Sequence, residues 1–149
     1  MLSFSSSYFN TRFKNQTIFL KLSGDIGQNL DREEQFLLGG DTGLRGYPVR
    51  FLDGSRQLLF TLEDRIFTNV ELFHLFNIGM AVFFDAGAVW NDQEEFGTSA
   101  FRKDVGVGLR IGQRRSALSN VVHIDLAYPL DKVEGKRKLQ FLVMTSETF

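Results

Sequence analysis

Apolar and polar residues alternate one by one along most of the chain. From Ile78 to Trp90 the run IGMAVFFDAGAVW places Ile78, Met80, Val82, Phe84, Ala86, Ala88 and Trp90 on one face, and Gly79, Ala81, Phe83, Asp85, Gly87 and Val89 on the other. Successive side chains of a β-strand point to opposite faces, so one face is wholly apolar and the other carries the charge. The next run repeats the design, with Val105, Val107, Leu109 and Ile111 against Asp104, Gly106, Gly108, Arg110 and Gly112. Helical spacing does not fit it, and its glycines would weaken a helix. Val122, Ile124, Leu126, Tyr128 and Leu130 oppose His123, Asp125, Ala127 and Pro129; Leu139, Phe141 and Val143 oppose Gln140, Leu142 and Met144. Upstream, Ile18, Leu20, Leu22 and Ile26 oppose Thr17, Lys21, Ser23 and Asp25, while Leu58, Phe60, Leu62 and Ile66 oppose Gln57, Thr61, Glu63 and Arg65. With a Ser-rich first strand from about Leu2 to Arg12, the pattern predicts seven strands of about ten residues and no amphipathic helix.

The connections are short and polar, as at Arg114 to Asn120 and Asp131 to Lys138, with one exception. Between Gln28 and Arg56 lies a long loop, from about residue 29 to 56, containing FLLGGDTGLRGYPVRFLDG and no strand pattern of its own. Within it Asp53-Gly54 reads as a tight turn. Loops far longer than a hairpin needs are usually functional.

Alternation suits two architectures. In a soluble sandwich the apolar faces meet each other; in an outer-membrane barrel they meet lipid and the polar faces line a wet lumen. Three features favour the barrel. The strands approach the 9–11 residues that cross a bilayer at a tilt, Gly is abundant on the polar face, and Trp90, Tyr128 and Phe149 lie near strand ends, where interfacial girdles sit.

Composition narrows the chemistry. Among 149 residues, 17 Lys and Arg balance 18 Asp and Glu, so there is no cationic surplus to neutralise phosphates and nucleic acid is not an expected partner. There is no Cys and there are only 2 His, which removes thiol chemistry and leaves no metal site to expect. The opening MLSFSSSYFNTRFK lacks the basic and apolar regions of a signal peptide, and no run approaches the roughly 18 apolar residues of a spanning helix. Asp41-Thr42-Gly43 matches the Asp-Thr-Gly of aspartic proteases, with Asp85-Ala86-Gly87 a near miss for a second copy. Yet Asp41 follows two Gly rather than an apolar strand, and Ala follows Asp85 where Ser or Thr is needed. The Gly-rich loop lacks the Gly-Lys-Ser/Thr ending of a phosphate cradle. His123-x-Asp125 shares one strand face but has no third ligand in view, and Lys136-Arg137-Lys138 reads as a solvated turn. No catalytic residue and no cofactor is expected.

One segment is more specific. Gly39-Gly40-Asp41-Thr42-Gly43-Leu44-Arg45-Gly46-Tyr47 resembles the loop motif of the BamA/TamA superfamily of outer-membrane assembly and secretion barrels, whose core is a hydrophobic residue, Arg, Gly and an aromatic. Leu62-Glu63-Asp64-Arg65, Phe83-Phe84-Asp85-Ala86-Gly87 and Asp104-Val105-Gly106-Val107-Gly108-Leu109-Arg110 resemble the strand motifs that follow it, in the same order. The resemblance covers nearly the whole chain. It implies an all-β transmembrane antiparallel barrel, here the C-terminal seven or so strands of a larger barrel of about sixteen, with the long loop inserted into the lumen.

The same resemblance implies that Arg45 pairs with acidic residues of the facing wall, Glu63 and Asp85, with Gly87 beside them. Gly39, Gly40, Gly43 and Gly46 would permit tight turns and close approach, and Leu44 and Tyr47 would complete the motif. The final strand resembles the assembly signal of bacterial outer-membrane barrels, carried by Phe141, Val143 and Phe149, although Thr145 and Glu147 interrupt it. The partners implied are outer-membrane lipid, client outer-membrane or secreted proteins, and accessory assembly proteins. The activity implied is insertion of β-barrel proteins into, or translocation of proteins across, an outer membrane, with a weak seam between first and last strands. A two-partner secretion transporter is the alternative within this fold, and a soluble β-sandwich binding module the alternative outside it. An odd number of strands leaves an open edge, which lipid does not tolerate, so the chain is expected to be a partial barrel domain over 1–149.

Overall fold

The computed structural model describes residues 1–27, 35–72, 76–91, 100–113, 121–132, 135 and 137–146. In chain order its strands are β1 (Leu2–Asn10), β2 (Gln16–Ile26), β3 (Phe36–Leu38), β4 (Leu52–Gly54), β5 (Arg56–Leu72), β6 (Phe76–Trp90), β7 (Arg102–Gln113), β8 (Val121–Pro129) and β9 (Gln140–Ser146). Seven of them form one antiparallel sheet in the order β1-β2-β5-β6-β7-β8-β9, so each strand pairs with the next along the chain except where the β3–β4 pair is inserted. The sheet is open, with β1 and β9 at its edges. Gly40–Thr42 forms a 3-10 turn within the inserted loop.

The two faces are the reverse of those of a soluble sheet. On β6, Met80 and Val82 are exposed while Asp85 is buried; on β7, Val105, Val107 and Leu109 are exposed while Asp104 and Arg110 are buried; on β8, Leu126 and Tyr128 are exposed while His123 and Asp125 are buried. Val82 and Val107 each expose 54% of their surface, and Asp104 and Asp125 none. Water would not sort residues this way, because burying a carboxylate costs far more than exposing a valine. The arrangement suits a sheet whose apolar face meets lipid and whose polar face turns inward. We call these the outer and inner faces.

The structure differs from the sequence reading in three respects. The loop between β2 and β5 has structure of its own: β3 pairs with β4, Phe36 opposite Gly54, Leu37 opposite Asp53 and Leu38 opposite Leu52. Strands of three residues are too short to show a period. Asp53-Gly54 is therefore part of β4 and not a turn, and Gly54 presses against β6, where a Cβ would lie 2.8 Å from Val89 Cγ1 and 2.9 Å from the Trp90 carbonyl. The strands are also uneven. β5 and β6 run to 17 and 15 residues, longer than the pattern predicts, with an irregular register between Phe67 and Glu71. The turn at 114–120, Lys136 and Phe149 lie outside the described residues.

Val107→Lys places a cation at the centre of the outer face. In lipid it should destabilise the sheet by about 2–4 kcal/mol, whereas at an equally exposed position of a water-facing sheet it would be close to neutral. Urea titration of the protein in vesicles, following loss of its folded electrophoretic form, measures the difference.

Candidate functional site

The inserted loop lies on the inner face, anchored by apolar contacts. Leu38, Leu44 and Tyr47 are buried with Leu59 of β5, and Phe51, Leu52 and Val89 pack around them. Tyr47 stacks on Phe51 with centroids 5.0 Å apart, and its hydroxyl donates to the Lys103 carbonyl at 2.9 Å with Asp131 Oδ2 3.1 Å away. Burial, and then the charge of Asp131, push the Tyr47 phenol up to about 12, so it stays a donor at neutral pH. Tyr47 thereby ties the loop to β7 and to the end of β8.

The loop tip turns sharply. Gly39, Gly40 and Gly43 hold φ of +136°, +62° and +115°, and Leu44, fully buried, holds +53°. A left-handed leucine is strained, and here its carbonyl accepts from the Gly40 and Tyr47 amides at 3.2 and 3.0 Å while its side chain fills the core. Gly46 is fixed by proximity. A Cβ there would overlap Asp104 Cβ and lie 3.1 Å from Pro129 N, so only glycine lets the backbone touch β7 and β8.

Between Leu44 and Gly46, Arg45 points into the wall. Its Nε and Nη2 donate to Asp85 Oδ2 and Oδ1 at 2.8 and 3.2 Å, and its Nη1 donates to Glu63 Oε2 at 2.8 Å and to Asp125 Oδ2 at 3.1 Å. The guanidinium carbon lies 3.4 Å from the centroid of the Phe83 ring. One side chain thus joins carboxylates of β5, β6 and β8 through four hydrogen bonds, which the fork of a guanidinium supplies and the three donors of an ammonium do not. Burial works against the cation, but the hydrogen bonds and charges of Asp85 and Glu63 more than reverse this and raise its pKa above the usual arginine value.

The wall carries cations of its own. Arg110 of β7 donates to Glu63 Oε1 through Nη2 at 2.9 Å and to Asp125 Oδ1 through Nη1; Arg65 of β5 donates to Glu63 Oε1 at 2.9 Å and covers the Phe19 ring at 4.7 Å. Cross-strand register explains how Arg110 reaches so far. Ala81 and Gly108 stand between Arg65 and Asp125 in one inner row, and Gly79 stands beside Arg110 in the next. A Cβ on Gly108 would overlap Asp125 Oδ1 and lie 2.5 Å from Arg110 Nη1. Asp104 is a fourth buried acid, paired across from Asp85 and outside the described ion pairs. Among the described residues the arrangement is built of carboxylates, guanidinium groups and one aromatic ring. It is a charge-paired joint between loop and wall.

The family model for the Omp85 superfamily domain matches residues 2–149. The chain belongs to the Omp85 superfamily. Members of this superfamily, which takes in BamA/TamA-type barrels, are outer-membrane proteins that insert or secrete proteins, handle client outer-membrane proteins and are generally not enzymes. No curated protein and no solved structure is significantly similar to the chain.

Within this Omp85 domain the structure brings Arg45 to Asp85 and Glu63. Gly87 lies apart from the guanidinium, under the loop core, where a Cβ would meet Leu38 Cδ2 at 2.6 Å and the Leu58 carbonyl at 3.1 Å. Phe141 and Val143 are exposed on the outer face of β9, away from the joint. His123 Nε2 lies 2.8 Å from Ser146 Oγ, while Asp125 is held by two guanidinium groups. Asp41 is exposed on the 3-10 turn, whereas Asp85 is buried with both oxygens bonded to Arg45. Sequence reasoning did not single out Asp125, Arg110, Arg65 or Phe83 for the joint. The available signal was their shared polar face, which marks many positions that do not meet.

Gly46→Ala should lift the loop from β7 and β8. The expected cost is about 1–3 kcal/mol, seen as protease cleavage near the loop tip while the strands stay protected.

Proposed function

We propose that this chain is the C-terminal part of a BamA/TamA-type barrel of about sixteen strands, which inserts β-barrel proteins into an outer membrane or passes proteins across it, and that Arg45 latches the lumenal loop to the wall. The observation that carries this reading is the seating of Arg45 on Glu63, Asp85 and Asp125, because it ties the loop tip to three strands of the wall through one side chain. The open edges support the larger barrel: β1 and β9 each present a row of backbone groups that lipid cannot satisfy, so further strands are needed between them. β9 stands at an open edge of the large sheet, the place a weak seam would take, where client strands pair or a secreted chain passes. Outer-membrane lipid would contact the apolar outer face, and client proteins the seam and lumen.

Removing one partner of a desolvated ion pair costs on the order of 3–5 kcal/mol. Arg45→Ala in the full-length protein should therefore loosen the barrel, lowering the temperature at which its folded electrophoretic form is lost, and should reduce client insertion into proteoliposomes. Arg45→Lys should recover only part of each, since it restores the charge without the fork. Unchanged stability and unchanged client handling in Arg45→Ala would remove the latch.

A further inference from the structure

The oxygens used by Arg45 and those used by the wall's own cations do not overlap. Arg45 takes Glu63 Oε2, Asp125 Oδ2 and both oxygens of Asp85. Arg65 and Arg110 take Glu63 Oε1 and Asp125 Oδ1. Glu63 and Asp125 thus keep a cation each, and with it their orientation, whether or not the loop is docked. Phe83, the floor of the joint, is also positioned by the sheet: its ring fills space that a Cβ on Gly106 would occupy. The three acids that Arg45 touches outnumber Arg65 and Arg110 by one, and Asp104, facing Asp85, is a fourth acid beside them, so without the loop the wall has acids to spare for a cation.

What Arg45 enters is therefore a shape defined by the strands. Four carboxylate oxygens converge in one region above the face of an aromatic ring, which is the complement of a flat cation with in-plane N–H donors. A cavity of about 210 Å³ borders it, lined by Arg45, Glu63 and Asp85 together with Lys21, His123 and Gly43, so a small cation has room to approach.

We propose that the inner wall is a preformed binding site for a guanidinium group, filled by Arg45 when the loop is docked and open to a guanidinium from outside the chain when the loop lifts. This rests on the latch reading and adds to it that the wall holds its geometry alone. The joint is then exchangeable: an arginine on a passing chain competes for the same seat, and the loop undocks by substitution instead of by leaving Asp85 bare.

The test uses the full-length protein in vesicles. Guanidinium chloride at tens of millimolar should raise the unfolding midpoint of Arg45→Ala by a saturating amount, recovering more than half of what the substitution loses, because a ligand that binds only the folded state stabilises it by mass action. Ammonium or sodium chloride at equal concentration should not, the wild type should not respond, and Arg45→Ala/Asp85→Asn should not be rescued. Should Arg45→Ala fail to fold unaided, its folded yield on refolding with each salt is the readout, with the same expectation. Destabilisation of Arg45→Ala without selective rescue, or rescue that persists in the double variant, overturns the preformed site. If Arg45→Ala loses no stability, the latch fails, yet a selective guanidinium-dependent rise would still establish the site.

Discussion

The contact between the Arg45 guanidinium and three carboxylates of different strands is the constraint around which the inner face is arranged. A cation taken out of water needs near-complete pairing to be tolerated, and here its donors meet acids from β5, β6 and β8 while its flat face rests on Phe83. The acids impose demands in turn. Glu63 and Asp125 each have a second oxygen to satisfy, and Arg110 and Arg65 occupy those positions. The glycine at 108 follows from the same need, since a side chain there would stand where Arg110 meets Asp125.

A sheet that buries this many charges would be unstable as one half of a sandwich, and the outer face shows why it is not one. Met80, Val82, Val107, Leu109 and Leu126 all point away from the protein into whatever surrounds it. For a member of the Omp85 superfamily that surrounding is hydrocarbon, where exposed valines are neutral and backbone groups must find partners within the sheet. The two faces therefore answer to different solvents, and alternation along each strand meets both demands.

The strands were legible because that alternation runs without a break through β6, β7 and β8, and the loop motif with its order of companion motifs pointed to Arg45, Glu63 and Asp85. The rest was hidden for identifiable reasons. β3 and β4 pair three residues each, below the length at which periodicity carries information, and Asp53-Gly54 has a turn's composition but β4 geometry because its backbone is pressed against Val89 and Trp90. Asp125 and Arg110 were visible as polar-face residues. That they meet depends on an arginine of β7 reaching past β6 to Glu63 on β5, a path that exists only because of small residues in a third strand. Spacing along the chain does not encode such a path.

The three acids bound by Arg45 stand 18, 40 and 80 positions away from it along the chain. Contacts so distant in sequence cannot close while the chain is still ordering its early hairpins, because the loop-closure entropy must first be met by the strands between. The joint is complete only when β5, β6 and β8 are all in place, so the docking of one arginine registers that the middle of the sheet has been assembled.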